Sequence, residues 1–72
     1  MTRRPPPPPP YMPGDKVTVT VMGRLRNAIV DSVMQNALGE WTRVSMTAPD
    51  GSGRYVREPW EVSRGWLGEG RP

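Results

Sequence analysis

Neither cysteine nor histidine occurs in this chain. Without thiols there is no disulfide staple and no thiolate nucleophile, and without imidazole the commonest acid–base and zinc-ligand groups are missing as well. Long apolar runs are also lacking: no segment approaches the roughly 20 residues that cross a bilayer, and nothing apolar follows the N-terminal arginines as a signal peptide would require. A nucleophile would have to be Ser, Thr or Lys16, and an acid would have to come from Asp15, Asp31, Glu40, Asp50, Glu58, Glu61 or Glu69. No pair among them stands out: Asp15 and Asp50 fall in turns, where Asp commonly bonds its own backbone, and Glu58 and Glu61 flank Pro59 and Trp60 as solvated side chains. The spacing Gly65, Gly68, Gly70 lacks the preceding strand and following helix of a dinucleotide fingerprint. The expectation is a protein that is not an enzyme, with no cofactor, metal or small-molecule substrate and no membrane association. It would sit in the cytoplasm or be incorporated into a virion or other large assembly.

What is present is small and basic. Seventy-two residues make one domain at most, able to bury only about 60% of the unfolded chain's surface. A scaffold of this size without a staple nets about 3–5 kcal/mol of stability. The net charge of +3 comes from nine arginines and one lysine. Arginine's planar fork suits carboxylate and phosphate recognition better than lysine's point charge, so an acidic partner, nucleic acid included, fits the balance. Residues 1–12 form an arm: Arg3 and Arg4, then proline unbroken from 5 to 10, then Tyr11. Six prolines fix φ and donate no hydrogen bonds, so this arm is predicted to be a polyproline II rod about 19 Å long that joins no sheet. Read functionally, it docks on a partner, with Arg3 and Arg4 as a charged tip and Tyr11 as an apolar foot; read structurally, it is a stiff spacer.

The stretch 14–33 organises the rest. Val17, Val19 and Val21 alternate with Lys16, Thr18 and Thr20, the period of a strand with one buried face. The next apolar run reads in two ways. As a helix over about 27–38, it collects Ile29, Val30, Val33, Met34, Ala37 and Leu38 on one side and would make a β-α-β-β arrangement. As a strand, it turns Ala28 and Val30 inward and needs a bulge between Val30 and Val33 to reset the alternation. Two further strands, about 41–48 and 54–58, flank the turn signal around Asp50 and Gly51. Placing Val44, Met46 and Val56 on one core face requires an odd loop between these strands. The opposite face then carries Trp41, Arg43, Tyr55 and Arg57 together. Pro59 ends the fourth strand, and a short final strand follows a tight turn. Residues 65–72 form a Gly-rich tail that is flexible unless Trp66 and Leu67 dock.

Gly14-Asp15-x-Val17-x-Val19, Ala28-x-Val30-x-x-Val33, Gly39-x-Trp41, Asp50-Gly51, Arg54-Tyr55-Val56 and Trp60-x-Val62 resemble, in this order, the small SH3-like barrels of the Tudor, KOW and related bacterial or phage types over about residues 13–64. The resemblance implies an all-β, five-stranded, strongly bent sheet whose members bind proteins or nucleic acids. Its expected core is Val17, Val19, Val21, Ala28, Val30, Val33, Val44, Met46, Val56 and Val62. A Tudor-type aromatic cage would have only Trp41, Tyr55 and Trp60 to draw on. The groove and acidic loop of eukaryotic SH3 domains are not matched, so recognition of the chain's own arm is not expected. Two functions follow. One is a protein-docking module or structural component of a larger, phage-encoded assembly, contacting its partner through Arg3, Arg4, Tyr11, Trp41, Arg43, Tyr55, Arg57 and Trp60. The other is nucleic-acid binding through Arg43, Arg54 and Arg57, with Trp41 and Tyr55 as stacking surfaces.

Overall fold

The alternation of valines with threonines does become a strand. In the computed structural model, which describes residues 8–68, β1 (Lys16–Val21) is followed by β2 (Arg24–Gln35), β3 (Trp41–Thr47), β4 (Arg54–Arg57), a 3-10 turn (Pro59–Glu61) and β5 (Val62–Arg64). All five strands belong to one antiparallel sheet in the order β4-β3-β2-β1-β5. The sheet is not closed, and β4 and β5 are its edges. Arg3, Arg4 and the first three prolines of the arm lie outside the described residues.

The ambiguous run is strand throughout, and no helix spans 27–38. Its β-branched residues favour strand only weakly. What decides the matter is pairing on both sides: β2 bonds β1 from Arg24 to Ile29 and β3 from Ile29 to Gln35. A helix would leave one edge of β1 and one edge of β3 unpaired, with only β5 and β4 on their other sides. The register shifts between Val30 and Ser32, so Val30 and Val33, an odd number of positions apart, both pack on the core. This is the bulge that the sequence pattern demands of a strand. The extra residue is Asp31, whose carboxylate accepts the Thr47 hydroxyl proton at 2.5 Å.

The β3–β4 connection departs from expectation. Met46 pairs with Tyr55, and Thr47 with Arg54, which leaves 48–53 between the strands, an even number. Met46 is fully buried, but Val56 is 44% exposed and opposes Ser45 on the outer face. The core takes the Tyr55 ring in place of Val56. An aromatic on an edge strand can cover more apolar surface than valine while its hydroxyl reaches water. Gly53 makes room for it, since a Cβ there would lie 3.3 Å from the Tyr55 hydroxyl. Within the loop, Gly51 N–H donates to Ala48 C=O at 2.8 Å and Ser52 N–H to Asp50 Oδ1 at 2.9 Å. The Ser52 hydroxyl and backbone N–H hold the Asp50 carboxyl below its ordinary pKa. That small contribution is complete at neutral pH and fades as pH falls through the lowered value.

The core cluster is Tyr11, Val17, Val19, Ala28, Val30, Val44, Met46 and Val62, with Val21, Val33 and Tyr55 packed against it. Tyr11 is the unexpected member. Its hydroxyl donates to Val62 C=O at 2.7 Å, and the Arg64 guanidinium lies over its ring at 4.8 Å. Arg64 also donates to Pro10 C=O and approaches Asp15 at 3.7 Å. On the other side of β1, Thr18 donates to Gly65 C=O at 2.5 Å, Trp66 Nε1 to Ala28 C=O at 2.8 Å, and Leu67 N–H to the Asn27 side chain at 2.8 Å. Lys16 stands over the Trp66 ring at 4.9 Å. Packing therefore reaches back to Tyr11 and forward to Leu67, and it covers Thr18, which is buried although it faces away from the valines.

One turn is built against its own sequence. Val21 pairs with Arg24, and the two residues between them, Met22 (φ 51°) and Gly23 (φ 80°), both have positive φ, the signature of a type I′ hairpin turn. Glycine and asparagine accept this conformation, whereas Met22 pays its Cβ clash and is 98% exposed, so it gains no packing in return. Met22→Asn is expected to raise stability by about 0.5–1 kcal/mol. A urea denaturation midpoint that stays put or falls would count against the turn assignment.

Candidate functional site

The β2–β3 turn is knotted by one side chain. Asn36 Oδ1 accepts the N–H groups of Leu38 (2.9 Å) and Glu40 (3.0 Å), while its Nδ2 donates to Glu40 Oε1 at 2.9 Å. Its backbone N–H donates to Glu40 C=O at 2.9 Å. The effect is to fix the Glu40 carboxylate against Asn36, in the turn immediately before Trp41 and β3. From the other end of the chain, the 3-10 turn brings Pro59 and Trp60. Proline suits the first position of such a turn, because its missing N–H would have no partner there. Glu58 N–H donates to Glu61 Oε2, and Glu61 N–H to Glu58 C=O, both at 2.9 Å. Trp60 Nε1 donates to Glu58 Oε2 at 2.5 Å, which orients an indole that is otherwise 76% exposed.

These two ends meet around an open cleft of about 320 Å³ lined by Glu40, Trp41, Thr42, Arg43, Glu58, Pro59 and Trp60. Two tryptophans and two glutamates thus line one concavity together with Arg43, so its lining carries one net negative charge in a protein whose net charge is positive. Trp41 is also a wall of a second, apolar cleft of about 270 Å³, with Pro9, Tyr11, Met12, Pro13, Ser32 and Val33. The base of the arm therefore runs beside the same ring that borders the acidic cleft.

The face expected to carry Trp41, Arg43, Tyr55 and Arg57 together does not form. Val33 pairs with buried Val44, and Gln35, two positions on, pairs with Trp41, so Trp41 lies on the core side of the sheet. Arg43 pairs with Met34 on the opposite side. The reason is a second register shift, between Met34 and Gln35, that leaves Thr42 as the extra residue on β3. Tyr55 and Arg57 oppose Met46 and Val44 and share the core side, while Arg54 opposes Thr47 on the outer one. Arg57 donates to Val56 C=O at 2.9 Å. The Arg-and-aromatic set suggested for nucleic acid is divided in the same way, with Arg43 and Arg54 outside and Trp41, Tyr55 and Arg57 inside.

Of the residues singled out from sequence, Trp41, Arg43 and Trp60 come together at the acidic cleft. Tyr11, read as an apolar foot for a partner, is instead a core residue at 7% exposure. Sequence reasoning missed Glu40, Glu58 and Pro59 as lining residues. The available signal was the adjacency of each glutamate to a tryptophan or to the Pro59-Trp60 pair, but nothing in that spacing says that the two segments meet. Among the described residues, no group of His, Cys, Asp or Glu is arranged to hold a metal ion, and no helix is long and apolar enough to cross a membrane. Compared with known proteins, the chain matches no family model, no curated protein and no solved structure.

Proposed function

We propose that this chain is a small SH3-like barrel that acts as a non-catalytic protein-docking module, taking a basic, extended segment of a protein partner into the cleft between Trp41 and Trp60. The barrel reading draws support from the strand order, with β5 returning beside β1 after a 3-10 turn, and from a long β2 bent by its bulge and shared between β1 and β3. One observation carries the docking reading: Trp41 and Trp60, from elements distant in sequence, line one cleft together with Glu40 and Glu58, whose two negative charges outnumber the single positive charge of Arg43 there. Indole faces attract cations and stack on proline rings, and carboxylates add charge-assisted hydrogen bonds. Tryptophan is also among the residues that most often dominate interface energy. Incorporation into a larger assembly would use the same chemistry.

The test is a titration of the protein, followed through its tryptophan indole N–H signals, with proline-containing basic peptides, acidic analogues and single-stranded DNA. Basic peptides should move the Trp41 and Trp60 signals and leave Trp66, which is bonded to Ala28 elsewhere, in place. Trp60→Ala should weaken binding by about 2 kcal/mol, roughly 30-fold. Folding stability should change by less than about 0.5 kcal/mol, because the ring is mostly exposed. If only DNA binds, with an affinity that falls steeply as salt rises, the chain is a nucleic-acid module and the docking reading fails.

A further inference from the structure

We infer that the tip of the β1–β2 hairpin is a further binding site, which enters the minor groove of duplex DNA with Met22 as an apolar wedge and with Arg24 and Arg26 on phosphates. It shares no residue with the cleft between Trp41 and Trp60 and goes beyond the docking reading. Backbone conformation is the first argument. Met22 holds a positive φ of 51° and its side chain is almost fully exposed, so the fold carries strain there and recovers no contact for it. An outlier of this kind points to a use outside the fold. Leu25, the next apolar residue along the hairpin, is also more than half exposed.

Shape and charge are the second argument. β5 pairs with β1 only from Val17 to Val19, and β3 pairs with β2 only from Ile29 to Gln35, so within the sheet residues 20–25 pair with one another alone. This ribbon carries its turn about 10 Å beyond Val19, and Val21, packed against the core, anchors its base. At the backbone its end is one strand spacing wide, about 4.8 Å, against about 6 Å for the minor groove. Arg24 opposes Val21 and Arg26 opposes Val19, so the two arginines share one face of the ribbon. Neither has an ion pair or side-chain hydrogen bond among the described residues. From 16 to 30 the chain has no Asp or Glu. One carboxylate, Asp50, shares an open cleft with Arg26, but it is engaged by Ser52. Guanidinium forks suit phosphate, and Met and Leu are among the side chains that wedge between base steps. A lipid surface would also take arginines beside apolar groups, but a two-residue turn leaves its central peptide groups unpaired. Hydrocarbon offers those groups no partner, whereas sugars, phosphates and base edges do.

The test is a titration of the full chain into a labelled DNA duplex over a series of salt concentrations. Binding should weaken steeply with salt, and Arg24→Ala/Arg26→Ala should reduce the log–log slope by about 0.9 for each of two phosphates. Met22→Asn should weaken binding about tenfold at every salt concentration and leave the slope unchanged, because it removes apolar contact and no charge. Its urea midpoint should rise all the same, so a loss of binding cannot come from a loss of fold. Energy transfer between dyes on the two duplex ends should report a bend with the parent chain and none with Met22→Asn. A full chain that binds no duplex, or one whose binding is unaltered in either variant, overturns the inference. So does binding to phosphatidylserine vesicles in place of the duplex, which would make the tip a lipid anchor. The basic-peptide titration reads the cleft alone, so the docking reading stands or falls separately.

Discussion

Tyr11→Ala should leave this protein largely unfolded at 25 °C. The ring is 7% exposed and belongs to the core cluster, and its hydroxyl ties the arm's base to β5 through Val62. Truncating a buried aromatic to alanine costs about 3–5 kcal/mol. A domain of this size without disulfide or metal has about that much in total. Far-ultraviolet circular dichroism and a urea titration would read the loss directly. Milder changes resolve its parts. Tyr11→Phe keeps the ring and removes only the hydrogen bond to Val62, for about 1 kcal/mol. Arg64→Ala removes the cation over the ring, for about 0.5–1 kcal/mol at so exposed a site. Deleting residues 1–7 should leave the midpoint unchanged, whereas deleting through Tyr11 should abolish the transition. A folded Tyr11→Ala protein with an unaltered midpoint would show that the arm's foot is not part of the core.

The second large effect separates two neighbouring strands. Met46→Ala should destabilise by about 2–5 kcal/mol, because Met46 is the largest fully buried side chain and is enclosed from β2 by Val30 and from β4 by Tyr55. Val56→Thr should change stability by no more than about 0.5 kcal/mol, since Val56 is on the outer face of an edge strand. The contrast is a test of register. Were β3 and β4 paired one residue out, every side chain of β4 would exchange faces. Val56 would then be the sensitive position and Tyr55 the tolerant one. Tyr55→Ala is accordingly expected to cost more than Val56→Ala, in a comparison of their urea midpoints.

Periodicity made much of the fold legible in advance. Alternating valines placed β1 and its buried face, the Val30-to-Val33 spacing demanded a bulge if that run were strand, and Pro59 ended the fourth strand ahead of a tight turn and a last short strand. These features are local: they depend on the two-residue period of a strand and on proline's missing N–H. The same local rules could not choose between helix and strand for 27–38, because that choice rests on β1 and β3 offering ladders on both sides. Nor could they find the face of β4. Valine and tyrosine are adjacent, either can pack inward, and the loop's parity follows from which one the core accepts.

The candidate site was less legible for a related reason. Trp41, Arg43 and Trp60 were marked by residue type, but the second bulge, at Thr42, turns Trp41 to the side opposite Arg43. Glu40 and Glu58 became site residues only when the β2–β3 turn and the 3-10 turn came together across β3. Tyr11 shows the same limit from the other direction, since a tyrosine after a proline run looks like the end of an arm until Val62 and Arg64 close over it. Sequence by itself determined the small basic scaffold, the strands that alternate, and the absence of thiols and imidazoles, because each follows from residue type or near-neighbour spacing. Tertiary structure decided the register, the inward turn of Trp41, the burial of Tyr11 and the meeting of two tryptophans with two carboxylates. Those depend on contacts between residues far apart in the chain, where one bulge reverses a face and one ring fills the space that another leaves.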